Sequence, residues 1–241
     1  MIKNTRLVAQ MEPFDSFWEA PEDLEKGYVT LYQYYKYNYL KHLPQDKASR
    51  ILVVSCGPGY FVNMLNKEGY SNVLGIDSDA RKVEIAVRKG LNCETEAAFP
   101  FLERSPGAFD VIFCECEINH LTKDEILDFL PLCHNSLREG GTLILHTING
   151  GNPITGIELY AINFDHYNTF TENSLRQVLG YTNFKDVQVQ PLKLYVFFGN
   201  PLNYVGMAVD TALNLIFRIL FKFYGKSNKI FSKKIFAVAR K

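Results

Sequence analysis

The chain has 241 residues, 47% hydrophobic and 22% charged, enough for one sizeable domain of ordinary globular composition. Its 26 basic residues balance 26 acidic ones, which excludes a global electrostatic pull toward nucleic acid. The charge is unevenly placed, however. Acids crowd the stretch from Glu94 to Asp128, and every charged residue from Arg218 to Lys241 is basic, so the tail is expected to meet a local partner.

In chain order, Glu22 to Leu43 reads as a helix carrying Tyr28, Tyr32, Tyr34, Tyr35, Tyr37 and Tyr39. So many rings with polar tips suit either one wall of a pocket or packing onto the core. Short β-branched runs then alternate with helical patterns. Arg50 to Ser55, Asn72 to Asp77, Asn92 to Thr95, Asp110 to Glu115 and Thr142 to Thr147 are expected as strands. Tyr60 to Glu68, Asp79 to Lys89 and Lys123 to Arg138 are expected as helices, the last opened by a Thr122 and Glu125 capping box. Beyond a turn-rich loop, Asn149 to Ile157, come a helix opened by Thr171, a strand near Phe184 to Val189 and a last strand from Lys234 to Arg240. Alternation of this kind predicts an α/β fold: a Rossmann-like, seven-stranded, mostly parallel sheet with helices on both faces. Residues 1–45 are expected to form a helical cap and residues 46–241 the main domain, with an insertion at 191–233.

Five cysteines without a regular framework, and no N-terminal apolar run with a cleavage site, point to a reducing cytoplasm. Cys114 and Cys116 lie two apart on an expected strand, and no second pair or histidine cluster in sequence accompanies them, so no metal site is expected.

The stretch ILVVSCGPGYF, Ile51 to Phe61, is a strand running into a glycine turn. Gly57 and Gly59 let main chain approach a ligand closely, and the helix that follows offers free amides. Asp77, about twenty residues on at the end of the next strand, can accept hydrogen bonds from both hydroxyls of a ribose. A dinucleotide fold wants a third glycine where this chain has Val62, which disfavours NAD. S-adenosylmethionine, which has no pyrophosphate, needs only close backbone approach and the ribose acid.

The series ILVVSCGPGYF, NVLGIDSD, GAFDVIF, NHL, LREGGTLILHT and FTENSLRQVLGYTNFKDVQV resembles the class I S-adenosylmethionine-dependent methyltransferases, in particular small standalone enzymes of lipopolysaccharide and polysaccharide biosynthesis. The resemblance covers about Arg50 to Gln190, with FAVARK similar to the family's last strand. It implies S-adenosylmethionine as cofactor, with Ser55, Cys56, Gly57 and Gly59 at the methionine end, Asp77 and Ser78 at the ribose, the Ala98 and Phe99 backbone at the adenine edge, and Cys116 beside them. Three positions depart from the family pattern: an acid falls on Val53, a glycine on Ser55 and a second acid on Ala97. Ser55, Asp79, Glu94 and Glu96 are candidate substitutes. A non-catalytic scaffold with a degenerate cofactor site stays open as the alternative.

In a doubly wound sheet, residues after the fourth and fifth strands face the reacting centre. These include Glu117, Asn119 and His120, then Thr147 to Asn149. If the acceptor is a hydroxyl of a small molecule or saccharide, His120 is the best-placed base, since imidazole titrates near neutrality. His166, in NFDHYNTF, is a second candidate and Glu117 a third. Adjacent side chains point apart, so Asp165 and His166 are not expected to form a dyad. His146 is expected to be structural. No nucleic-acid partner is expected.

Within Tyr204 to Tyr224 the polar residues Asp210, Asn214, Arg218 and Lys222 form an i,i+4 stripe on an otherwise apolar helix. Charges inside so short a length argue against a transmembrane helix. Two readings stay open: a helix at the inner face of an anionic membrane, through residues 204–234, or one docked on the core or in a homodimer.

Overall fold

The computed structural model describes residues 21–193 and 201–241. The first twenty positions of the expected cap, and 194–200 of the expected insertion, therefore lie outside the described residues.

The elements follow the expected alternation. Helix α1 (Pro21–Tyr39) ends in a single 3-10 turn, Leu40–His42, and leads to β1 (Ile51–Val54), α2 (Tyr60–Lys67), β2 (Val73–Asp77), α3 (Ala80–Arg88) and β3 (Cys93–Thr95). Next come α4 (Ala98–Glu103), β4 (Phe109–Glu115), the one-turn α5 (Glu117–His120), α6 (Lys123–Ser136) and β5 (Leu137–Ile148). The chain finishes with α7 (Gly156–Ala161), α8 (Glu172–Tyr181), β6 (Lys185–Pro191), α9 (Leu202–Phe223) and β7 (Lys234–Arg240). One seven-stranded sheet has the order β3-β2-β1-β4-β5-β7-β6, parallel except for β7, which runs antiparallel to both neighbours.

Period-two alternation in β1 explains the layers. Leu52 and Val54 point to a core filled from α4, α6 and α8, through residues such as Leu102, Phe129, Leu130 and Leu175. Ile51 and Val53 point to the opposite core, filled by Tyr35 and Tyr39 of α1, Phe61 and Leu65 of α2 and Val83 of α3. Val53 is therefore a core residue, paired with Gly75 and Phe113 in the sheet, and a charge there would be buried between strands. The tyrosines of α1 take the packing role, with polar tips tied to the segments after β1 and at the end of β4. Tyr28, Tyr34, Tyr35 and Tyr39 are buried in the core, while the Tyr28 hydroxyl donates to Pro58 O at 2.5 Å and the Tyr35 hydroxyl to Glu115 Oε2 at 2.6 Å. Burial pushes the Tyr28 phenol up to about 12, so it stays a neutral donor holding the glycine loop.

Two boundaries differ from expectation. Helix α6 ends at Ser136, with both halves of its Thr122 and Glu125 capping box formed, and β5 begins at Leu137, five residues early. Leu137 pairs with Phe109 and Thr142 with Val111, so the extra residues are accommodated in a bulge turned at Gly140 (φ 73°). In addition, β4 stops at Glu115 and Cys116 takes a left-handed conformation (φ 57°), so Cys114 and Cys116 do not share a strand face. Cys114 is buried in the core, whereas Cys116 N–H donates to His146 O at 2.9 Å.

Helix α9 is turned the opposite way from an ordinary surface helix. Asp210, Asn214 and Arg218 of its polar stripe turn to the protein: Asn214 Oδ1 accepts from Phe231 N–H at 3.2 Å, and Arg218 Nε donates to Lys229 O at 2.7 Å, while Lys222 is exposed. Phe217 and Phe221 clasp the buried Phe231 ring at centroid distances of 5.8 and 4.6 Å.

Candidate functional site

The strand order reverses between β1 and β4, whose carboxyl ends lie side by side with Val54 opposite Cys114. A crevice opens there by topology, and the loops after β1, β2, β4 and β5 supply its walls.

The first wall is the loop after β1. Ser55 (φ 54°), Gly57 (φ 52°) and Gly59 (φ 82°) are all left-handed, which winds the chain tightly into α2. The two glycines do different work. A Cβ on Gly59 would stand 2.7 Å from Leu91 Cδ1 and 3.0 Å from Ala86 Cβ, so Gly59 closes the loop onto α3. A Cβ on Gly57 would meet nothing within 4 Å, so Gly57 is the glycine that borders open space. Gly57 N–H donates to Asp77 Oδ2 at 2.8 Å, and Asp79 N–H donates to Asp77 Oδ1 at 2.8 Å. The Asp77 carboxylate is thereby fixed at the rim, with lone pairs left on both oxygens for further donors. Asp79 caps α3 through Oδ1. Its Oδ2 is buried and has no hydrogen-bond partner, so it is the substitute acid best able to receive a donor. Glu96 is ion-paired with Arg104 at 2.7 Å, and Glu94 and Ser78 are exposed. Cys56 is buried against Gly75 and Cys93, where it packs instead of lining the open space. Ala98 and Phe99 open α4, a six-residue helix absent from the sequence reading, and the Phe99 ring lies 5.7 Å from that of Phe129.

The second wall follows β4. The Ser55 hydroxyl donates to Glu117, so α5 sets a second carboxylate, beside that of Asp77, against the glycine loop. Burial pushes the Glu117 carboxyl above its ordinary value, with the Ser55 hydrogen bond opposing. This is not the solvated glutamate its sequence position suggests. Behind it, Glu115 Oε1 lies 3.3 Å from Nδ1 of the fully buried His146. Burial alone would raise the Glu115 carboxyl, but His146, Lys234 and Tyr35 bring it below the usual carboxylate range. Burial would likewise raise the Cys116 thiol, and Lys234 and His146 reverse the direction.

His120 ends α5, and its Nδ1 lies 3.1 Å from Asp165 Oδ2. Asp165 is buried enough that desolvation alone would raise its carboxyl, yet the His120 contact holds it below its ordinary value. The His166 ring packs 4.8 Å from that of His120, and its Nδ1 lies 2.8 Å from Leu159 O. The sequence reading set no pairing between Asp165 and its neighbour His166. Asp165 instead pairs across 45 residues with His120, which no local pattern signals. Ligand atoms of His120, Asp165 and His166 all lie within 4.8 Å of one another, close enough to share one cation. No metal site was expected from the sequence.

Asn119, beside His120 in α5, assembles this wall. It is fully buried; its Oδ1 accepts from Thr147 Oγ1 (3.2 Å) and Ile148 N–H (3.3 Å), and its Nδ2 donates to Asn168 O (2.7 Å). Its carbonyl also accepts from Tyr167 N–H at 2.7 Å. One side chain thus ties α5 to β5 and to the loop that carries Asp165 and His166. Its signal in the sequence was only the NH dipeptide after a strand.

Comparison with known proteins agrees with this architecture. The chain belongs to a methyltransferase domain family, whose model matches residues 30–189. Over 116 residues it is 36% identical to a tRNA U34 carboxymethyltransferase of Actinobacillus succinogenes, an alignment covering 45% of this chain and 35% of that protein. Over 108 residues it is 28% identical to a ubiquinone biosynthesis O-methyltransferase of Cupriavidus pinatubonensis, covering 42% of each. The chain therefore spans less than half the length of these curated relatives. A solved SAM-dependent methyltransferase from Archaeoglobus fulgidus superimposes with a TM-score of 0.64 at 19% identity, covering 90% of this chain and 94% of that one, and so shares the fold.

Proposed function

We propose that this chain is an S-adenosylmethionine-dependent methyltransferase acting on a hydroxyl of a small-molecule or saccharide acceptor. The observation that carries the transfer to oxygen is the 3.1 Å contact between His120 Nδ1 and Asp165 Oδ2 at the mouth of the crevice. The methyltransferase family and the shared fold support the cofactor class, and so does the fit of the residues. Gly57 leaves open space where a side chain would intrude, Asp77 presents two fixed oxygens for ribose hydroxyls, and Asp79 Oδ2 is buried without a partner.

When bound, the cofactor supplies an electrophilic methyl group on a sulfonium. The chain's own residues position and deprotonate the acceptor. A hydrogen bond from His120 Nδ1 to Asp165 places the lone pair on Nε2, and Asp165 stabilises the imidazolium that forms. As the acceptor oxygen takes up that methyl group, its proton would pass to His120 Nε2. His166 and the exposed rings of Tyr160 and Tyr167 border the acceptor side.

Two experiments test the reading. Calorimetric titration with S-adenosylhomocysteine should show saturable binding, whereas none at millimolar ligand would favour a non-catalytic scaffold. A panel of hydroxyl acceptors assayed with labelled cofactor should include tRNA, because one relative is a tRNA enzyme. Labelling of tRNA alone would replace the small-molecule acceptor.

A further inference from the structure

With Asp210, Asn214 and Arg218 turned inward, α9 presents an outer face that is wholly apolar. Val205, Ala208, Val209, Ala212, Ile216, Ile219 and Phe223 recur at helical spacing opposite Asp210, Asn214 and Phe217. Val205 is 60% exposed, Ile216 49%, Ile219 48% and Phe223 85%, and no residue of the helix is buried. A surface helix of a water-facing protein has the reverse arrangement, so this face is built for an apolar medium.

We propose that α9 lies flat in the interface of an anionic lipid bilayer, with its outer face among the acyl chains. Three observations select a bilayer over a second copy of the chain. The first is charge. Asp210 is the sole acid between Pro191 and Lys241, and it points inward, while Lys222 on the helix and Lys226 and Lys229 in the segment that follows it are exposed. A second copy of this element offers those cations no outward carboxylate, whereas anionic headgroups complement them. The second is the ends. Tyr204 and Tyr224, 53% and 82% exposed, stand at the two ends of the helix, where amphipathic rings sit at headgroup depth. The third is attachment. The bonds from Phe231 N–H to Asn214 and from Arg218 to Lys229 O, with Phe217 and Phe221 clasping Phe231, hold the helix along the protein surface. These bonds would break if its 22 residues were threaded across a membrane, although the length and hydropathy alone would permit a span. Beneath the helix, a cavity of about 280 Å³ lined by Lys193, Asp210, Asn214 and Arg218 takes the polar stripe.

The full chain should float with vesicles of phosphatidylcholine containing phosphatidylglycerol, and bind pure phosphatidylcholine vesicles much more weakly. Ile216→Glu with Ile219→Glu should abolish flotation while leaving the thermal transition in place. Since that pair could also disturb folding, the milder Lys222→Gln and Lys226→Gln offer a second readout: each should weaken partitioning about fivefold and reduce its salt dependence. Three results would overturn the proposal: wild-type protein that stays soluble with every vesicle as a dimer broken by the Ile216→Glu pair, wild-type protein that stays soluble as a monomer, or flotation unchanged by the isoleucine pair.

Discussion

The two walls of the crevice are built by different means. On the glycine-loop wall, contacts join residues within one βαβ unit: Gly57 to Asp77, and Asp79 to Asp77. On the acceptor wall, His120 meets Asp165 across 45 residues, and the loop that delivers Asp165 is held by the buried Asn119. The difference teaches where each wall is vulnerable. The first depends on backbone conformations fixed locally by glycine; the second depends on a single polar clamp between elements distant in sequence.

The largest expected effect lies on the acceptor wall. His120→Ala should lower turnover by about 10²- to 10⁴-fold, the usual worth of a general base, with S-adenosylhomocysteine affinity unchanged by calorimetry. A parallel loss of affinity would merge the two walls into one unit. Asp77→Ala should do the opposite, weakening cofactor binding about a hundredfold, since charge-assisted hydrogen bonds contribute about 1.5–3 kcal/mol each. Saturating cofactor should then restore most of the turnover.

Asn119→Ala leaves buried donors and acceptors unpaired, and should cost about 1–3 kcal/mol in a urea unfolding curve. Turnover should fall with it while cofactor affinity holds, because the residues that lose their tether are those around Asp165. Glu117→Gln is smaller in effect and has a definite sign. The folded-state carboxyl of Glu117 titrates above its unfolded value, so the folded protein binds more protons there and stability falls as pH rises through that interval. The variant should therefore unfold at a higher temperature than wild type near pH 7 and lose that advantage below the ordinary glutamate range, near pH 4. Equal transitions at both pH values would remove burial as the cause. The smallest expected effect is none: EDTA should leave turnover unchanged if His120 and Asp165 work as a base and its orienting group. Loss reversed by a divalent ion would make them, with His166, a metal site.

The sheet was legible in the sequence because each strand carries its own period and each turn its own glycine. The seven strands and their mostly parallel arrangement follow from that alternation. Boundaries blurred where tertiary pairing overrode the helix pattern, as at Leu137 to Gly141, where β5 extends back to reach Phe109. The place of Asp77 at the glycine loop could be anticipated, because the end of β2 lies beside the end of β1 in a parallel pair. The pairing of His120 with Asp165 could not, since it depends on how the 163–170 loop folds over α5, and no spacing encodes that. The α9 stripe shows a related limit. Periodicity identified a two-faced helix but not which face turns to the protein, because that choice rests on Phe231 and the Asn214 contact.

The central claim is that this loop holds S-adenosylmethionine although a core valine stands at position 53 and an exposed alanine at position 97. Calorimetric titration of S-adenosylhomocysteine into wild type and Asp77→Ala tests it most directly. The account predicts saturable one-to-one binding in wild type and about a hundredfold weaker binding in the variant. No saturable heat in wild type at millimolar ligand, from a protein shown to be folded, would contradict it.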